Sequence, residues 1–437
     1  MIKKIFSKEE VLISCSSLNN LNFSSKKEKV SKKFFISEKE ATIVIGNIKE
    51  CIKLESDRIA GLVLKNNKKE KISELILDVL LNRRYRRGSR ESNNPNQILR
   101  KSNKKIKNKK PIELNISLFP CKIPNILKTD GELPDLAELL SIARLKEISL
   151  SVKRIYPLGL KFIVLLDGLR FEEICYFNKN RIETYQNKIS DFLKFIDPEC
   201  DIEFQDYIKL LRSSLSKETL NILNENKKIF LKDYFKRMGN TINLNNPQKK
   251  LNDLIKLKDA DVKKVVELFK SLLYSINFKE LNGRSEEFIE SVYENPLNME
   301  VKSKKIREAR KKLIKKTWTC CLKYVSEISA GRAIKPTELI YPEAIKCDMH
   351  MIPERYTFYS IDRSSTLTAF HGTGCINGDG IMGVKFRYQL IKAGYVPVYV
   401  KKSIKFPYMN QAFFYVPGKI KNKNMLLELI NNSKIRK

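Results

Sequence analysis

Asp167 and Gly168 close the apolar run Leu160–Leu166, and Arg170, Phe171 and Glu173 follow within six residues. A carboxylate at the end of such a run can orient an amine, and the neighbouring arginine can fork onto a carboxylate or phosphate. The same Asp-Gly pair also suits a plain turn whose aspartate caps the next segment. The chain has two histidines, His350 and His371. His350 lies in the apolar-flanked stretch Cys347-Asp-Met-His-Met-Ile-Pro353, and His371 stands between Thr366–Phe370 and the glycine-rich stretch Gly372–Gly380. An imidazole at a strand end suits proton shuttling near neutral pH, and equally suits a structural hydrogen bond. Gly372 and Gly374 would let backbone N–H groups approach a phosphate in a loop. The spacing G-x-G-x-x-x-G misses the dinucleotide fingerprint by one residue, so no nicotinamide cofactor is expected. Two histidines cannot make a three-histidine zinc site, and no metal is expected, although a mixed histidine and carboxylate set stays open.

The basic cluster Arg83–Arg90 surrounds Tyr85, which could stack on a base while arginines neutralise phosphates. A helix end whose cations complement the macrodipole is the alternative. Lys+Arg number 84 against 50 Asp+Glu, a net charge of +34 in 437 residues. That charge attracts phosphates, nucleic acid or anionic membranes but says nothing of fold. The excess is mostly lysine scattered among isoleucine and asparagine, as AT-rich coding produces, and no homeodomain, zinc-finger or RNA-recognition pattern accompanies it. No specific nucleic-acid partner is expected. Nine cysteines without a CxxC pair read as reduced thiols of a cytoplasmic protein. No run of eighteen apolar residues predicts a membrane span. The charged start Met1–Glu10 lacks the apolar stretch of a secretory signal.

These residues need elements to hold them. Leu160–Leu166 is apolar almost throughout, which predicts a strand buried on both faces of a parallel sheet flanked by helices. Ligands of such sheets bind at the carboxyl ends of strands, where Asp167 falls. Helical spacing predicts helices over Ile72–Arg84, Pro134–Ile148 and Ser303–Ile328, with Trp318 packed in the core, and an amphipathic region Leu251–Leu273 broken near Asp259–Asp261. Strands are expected at Thr357–Ile361, Thr366–Phe370, Tyr395–Val400 and Ala412–Val416. The expected organisation is a weakly patterned extension over 1–70, with a short strand at Ala41–Gly46. A catalytic domain follows over 71–418, containing a mobile polar linker at 88–110 and a mostly helical section at 182–329. A basic tail covers 419–437. No internal repeat is present.

The motifs resemble, as a set, the dityrosine/pyoverdine-biosynthesis family, which includes the isonitrile (isocyanide) synthases. Tyr85-Arg86-Arg87 is followed by Phe119-Pro-Cys-Lys-Ile-Pro-Asn125 with Lys128, then Gly131, Pro134-Asp135…Glu138 and Asp167-Gly-Leu-Arg-Phe171. These are similar to the family's F-P-x-K-S-P-N, P-D-x-x-E and S-D-G-x-x-F-x-D. Tyr341–His350 resembles the segment ending in Ser-Ile-His, and Thr368-Ala-Phe-His371-Gly372 resembles Thr-Pro-Trp-His. The likeness spans roughly residues 70–400. Ile123, Leu166, Glu173 and Ala369-Phe370 depart from it and put substrate choice in question more than chemistry.

The resemblance implies an α/β, Rossmann-like, mainly parallel sheet with flanking helices and a large helical insertion. It further implies condensation of the amine of an aromatic amino acid, tyrosine or tryptophan, with the ketone of ribulose 5-phosphate, without cofactor or metal. His350, His371 and Asp167 are then the catalytic candidates. Lys122, Asn125, Lys128, Gly168, Arg170, Phe171, Glu173, Gly372 and Gly374 are the substrate-binding candidates. A partner Fe(II)/2-oxoglutarate oxygenase that processes the product is part of the same implication. Two alternatives stand beside it: tyrosine modification such as N-formylation for a dityrosine-type precursor, and a non-catalytic basic protein binding nucleic acid or a membrane surface.

Overall fold

The computed structural model describes residues 32–66, 71–119, 122, 128–175, 179–273, 284–348, 355–358, 372–401, 406 and 411–435. The strands, in chain order, are β1 (Phe34–Ile36), β2 (Ile112–Phe119), β3 (Leu160–Leu166), β4 (Ile202–Asp206), β5 (Ile345–Asp348) and β6 (Tyr356–Thr357), then β7 (Thr373–Ile376), β8 (Ile381–Lys385), β9 (Tyr395–Val400), β10 (Phe414–Pro417) and β11 (Lys434–Ile435).

Five of them form a wholly parallel sheet in the order β4-β3-β2-β5-β6. Leu114 of β2 sits between Phe162 of β3 and Ile345 of β5. From β2 the chain builds outward through β3 and β4 on one side, and later through β5 and β6 on the other. The order therefore reverses between β2 and β5, and a crevice opens at the strands' carboxyl ends in such an arrangement. Six strands make a second, mixed sheet in the order β1-β9-β10-β7-β8-β11. The helix Leu136–Lys153 joins β2 to β3 and is buried from Leu136 through Ser149, polar residues included. A helix buried all round belongs between layers. This one meets β3 of the parallel sheet, β7 of the mixed sheet and the helices Glu38–Asn66 and Lys179–Ile196.

Several expectations are corrected. The fold holds a second, mixed sheet beside the expected parallel one, because strand periodicity gives no pairing partner. Ala41–Gly46 is not a strand but part of the helix Glu38–Asn66, whose Ala41, Val44, Ile45, Ile48, Ile52, Ile59 and Val63 share a buried stripe. The β-branched run favours a strand over six residues, and only the longer window shows the helical period. The 88–110 segment contains the helix Pro95–Lys107, with Pro95 at its first turn, Asn94 accepting from the Gln97 N–H, and Ile98 and Ser102 buried. Three apolar residues at helical spacing suffice to seat it. The 419–437 tail supplies the helix Lys423–Asn431 and β11, which pairs with β8. The helix Glu38–Asn66 packs onto it, and the Asn47 side-chain amide donates to the Ile430 carbonyl at 2.8 Å. Gly372–Gly380 is not a loop but β7 and the turn into β8, an antiparallel hairpin whose Asn-Gly-Asp-Gly turn closes on Gly380 at φ 76°. The expected strand Thr366–Phe370 lies outside the described residues.

Candidate active site at the sheet's carboxyl edge

Asp167 follows β3, and Gly168 opens the helix Gly168–Cys175, so both stand at the carboxyl edge. A Cβ on Gly168 would come within 2.6 Å of Ile182 and 2.7 Å of Gln186, so the close approach of the next helix requires glycine. Asp167 is fully buried. Its Oδ1 faces Arg170 Nη1 at 3.4 Å and its Oδ2 accepts from the Tyr324 hydroxyl at 3.2 Å. Burial pushes the Asp167 carboxyl up to about 6, against the pull of Arg170. Arg170 is 2% exposed, and its Nε lies 3.3 Å from Glu327 Oε2. Its guanidinium lies over the Tyr324 ring at 4.7 Å and the Tyr207 ring at 5.7 Å. Burial alone would lower the Arg170 pKa, but Asp167 and Glu327 carry it above the ordinary arginine value. Lys227 reaches the other Glu327 oxygen at 2.9 Å.

A second buried cluster forms where β2 gives way to the central helix. Lys122 has no exposed side-chain surface and lies 2.8 Å from Asp135 Oδ2 and 3.1 Å from Glu138 Oε2. Asp135 and Glu138 cap the helix start reciprocally: Asp135 accepts from the Ala137 N–H and Glu138 from the Asp135 N–H. Thr373 and the Gly374 N–H of β7 donate to the same Asp135 carboxylate, and Tyr185 donates to Glu138. Burial drives the Glu138 carboxyl up to about 8, with Asp135 adding to it and Lys122 opposing. Burial thus favours the protonated form of Glu138, while the Lys122 ammonium favours the charged one.

The two cations expected to meet substrate anions, Lys122 and Arg170, are thus each held between two internal carboxylates. Lys128 is buried with its ammonium over the Phe386 ring at 5.5 Å, and its carbonyl accepts from the Arg387 N–H. The Gly374 N–H serves Asp135, and a Cβ on Gly374 would sit 2.4 Å from Leu136, so this glycine answers to packing. A Cβ on Gly372 would likewise crowd Val384 at 2.6 Å. Phe171 and Glu173 lie on the helix Gly168–Cys175, with their side chains outside the described residues. Asn125, His350 and His371 lie outside them too. Tyr85 is not a stacking platform, because it is fully buried with its hydroxyl 2.8 Å from Ser151 Oγ. Among the described residues no His, Cys, Asp and Glu group is arranged to hold a metal ion, and no helix is long and apolar enough to cross a membrane.

Sequence reasoning misses Tyr324 and Glu327, spaced three apart on the helix Lys304–Ile334 and so on one face. It also misses Tyr207, directly after β4, and Asp348, the last residue of β5. Terminal positions on parallel strands are the signal that could find the last two. Arg355, whose Nη1 donates to Asp348 Oδ2 at 3.0 Å, carries none.

Residues 103–251 match the family described as "Pyoverdine/dityrosine biosynthesis protein". The chain is 38% identical over 84 residues to an L-tyrosine isonitrile synthase of Xenorhabdus nematophila, which covers 19% of this chain and 25% of that protein. It is 32% identical over 83 residues to the spore wall maturation protein DIT1 of Saccharomyces cerevisiae, covering 19% and 16%. It is 28% identical over 94 residues to the L-tryptophan isonitrile synthase AmbI1 of Fischerella ambigua, covering 22% and 30%. The matched stretch thus spans a third or less of each relative's own length. The crystal structure of the PvcA protein from Pseudomonas aeruginosa superimposes with a TM-score of 0.51 at 17% identity, covering 79% of this chain and 100% of that one, a likeness of fold. By its motifs and by the match over residues 103–251, the family that this chain resembles is that of the pyoverdine/dityrosine biosynthesis proteins, isonitrile synthases among them.

Proposed function

We propose that the chain is an isonitrile synthase-like enzyme built on a Rossmann-like sheet. In this reading it condenses the amine of tyrosine or tryptophan with the ketone of ribulose 5-phosphate, and the sugar's C2 becomes the isonitrile carbon. The observation that carries the reading is one of placement. The residues matched to the family, 103–251, include Lys122, Asp135, Glu138, Asp167 and Arg170, the framework of both buried charge clusters at the carboxyl edge.

The chemistry asked of the site is proton movement. Imine formation needs a neutral amine and a proton for the departing hydroxyl. The later carbon–carbon cleavages need stabilisation of an enolate-like charge. A carboxyl whose pKa sits at about 6 holds or gives a proton near neutral pH, and Asp167 is poised in that way by burial and by Arg170. Arg170 and Tyr324 act on it as positioning residues. His350 and His371 are the shuttles in this reading, and a partner Fe(II)/2-oxoglutarate oxygenase is the enzyme class that would take the product onward. Likeness to a spore wall maturation protein keeps tyrosine N-formylation as the second reading. Incubating the full chain with tyrosine or tryptophan and ribulose 5-phosphate, followed by mass spectrometry, tests the proposal. An isonitrile supports it, and an N-formyl product would favour the second reading.

A further inference from the structure

With Lys122 and Arg170 engaged internally, the carboxyl edge needs another group to read the substrate's charges. Asp348 ends β5 next to β2, where the strand order reverses. Arg355 immediately precedes β6, and its guanidinium reaches back along the sheet to Asp348 Oδ2 at 3.0 Å. The Arg355 side chain is 24% exposed and the Asp348 side chain 10%, against 2% for Arg170 and none for Lys122. Among the described residues the contact of the Arg355 guanidinium is that single bond through Nη1, so one edge of a planar fork remains to be used. Arg355 also lies close enough to Tyr207 to draw its hydroxyl pKa down, with Arg170, against the burial that raises it. Tyr207 thus stands under the influence of both arginines on this edge.

We propose that the Asp348–Arg355 pair is the reader of a zwitterionic α-amino acid head group, with the substrate carboxylate on the open edge of Arg355 and its ammonium beside Asp348. The assignment rests on the amino-acid reading given above and names the residues that would select it. Charge balance favours a zwitterion at this spot. Arg355 and Asp348 stand side by side and offer one charge of each sign, as the head group does, so each charge can meet an opposite one. A dianionic sugar phosphate would instead set like charge beside Asp348. Arginine suits the role because its fork matches a carboxylate with two parallel bonds.

Titration calorimetry on the full chain tests the pair with L-tyrosine and L-tryptophan, with tyramine and tryptamine, which lack the carboxylate, and with 3-(4-hydroxyphenyl)propionate and indole-3-propionate, which lack the amine. The wild type should prefer the amino acid over both truncated forms. Arg355→Gln should shrink the preference over the amine by about ten- to a hundredfold, the worth of a charge-assisted bond. Asp348→Asn should shrink the preference over the acid, and Arg355→Lys should keep part of the first. Ribulose 5-phosphate affinity should stay within a few-fold in Arg355→Gln. If the wild type discriminates and Arg355→Gln discriminates equally, or loses sugar phosphate selectively, the assignment is overturned. A folded wild type that binds no amino acid would instead sink the proposed function itself. Should Arg355→Gln not fold, Arg355→Lys decides alone: unchanged discrimination counts against the pair.

Discussion

The Thr373 hydroxyl donates to Asp135 Oδ2 at 2.6 Å, joining residues 238 positions apart. Through that bond the mixed sheet is fastened to the first turn of the central helix, at the point where Lys122 and Glu138 also converge. Thr373→Val keeps the shape and removes the donor, leaving a buried carboxylate short of one partner. Urea unfolding should show a loss of about 1–3 kcal/mol, and Thr373→Ser should lose less.

Arg170 is the buried cation between Asp167 and Glu327. Arg170→Met removes the cation between Asp167 and Glu327 and leaves two buried carboxylates facing each other. A loss of about 3–5 kcal/mol is expected in chemical denaturation, and Arg170→Lys should lose less while still disturbing the Tyr324 stack. Arg170→Met with wild-type stability would mean that these charges are solvated in solution.

Asp167 gives stability a pH dependence of defined sign. Its folded pKa of about 6 lies above the ordinary aspartate value, so the folded state binds the proton more tightly. Its contribution is full below about pH 4 and is lost as pH rises through about 6. Asp167→Asn should flatten the stability profile in that window, read by thermal unfolding at half-unit pH steps. Glu138, raised to about 8, continues the same downward slope toward higher pH.

Two glycines should answer alanine in opposite ways. Gly374→Ala places a Cβ 2.4 Å from Leu136 Cβ and 3.0 Å from the Ala137 nitrogen, and overpacking of this kind typically costs about 1–3 kcal/mol. Gly46 lies in the helix Glu38–Asn66, and a methyl added there would have nothing within 4 Å, so Gly46→Ala should add about 0.5–1 kcal/mol. Melting temperatures of the pair check both signs.

The parallel sheet is legible from Leu160–Leu166, because a strand buried on both faces announces itself by near-unbroken apolarity. The helix after Pro134 is legible from the apolar spacing of Leu136, Leu139, Leu140 and Ile142. What escapes are elements whose signal is weaker than their context. The Ala41–Gly46 run reads as strand until the stripe is followed to Val63, and the helix Pro95–Lys107 is seated by few apolar residues amid lysines. Of the site, Asp167, Gly168 and Arg170 are found by position after the strand. Their partners Glu327 and Tyr324 are not, because Tyr324 stands 157 positions from Asp167 and no local pattern spans that gap. Lys122 is expected to face substrate because of its place in the family-like motif Phe119–Asn125. The two carboxylates that enclose it become visible only when the helix start folds against β7.

In the proposed reaction one carbon leaves the sugar phosphate and joins the amino acid's nitrogen. The most direct test incubates the full chain with ribulose 5-phosphate labelled with carbon-13 at C2 and with unlabelled tyrosine or tryptophan, and follows the product by mass spectrometry and carbon NMR. The expected product is an isonitrile whose terminal carbon carries the label, formed without added cofactor and lost in Asp167→Asn. A folded wild-type chain that leaves both aromatic amino acids unlabelled would contradict it.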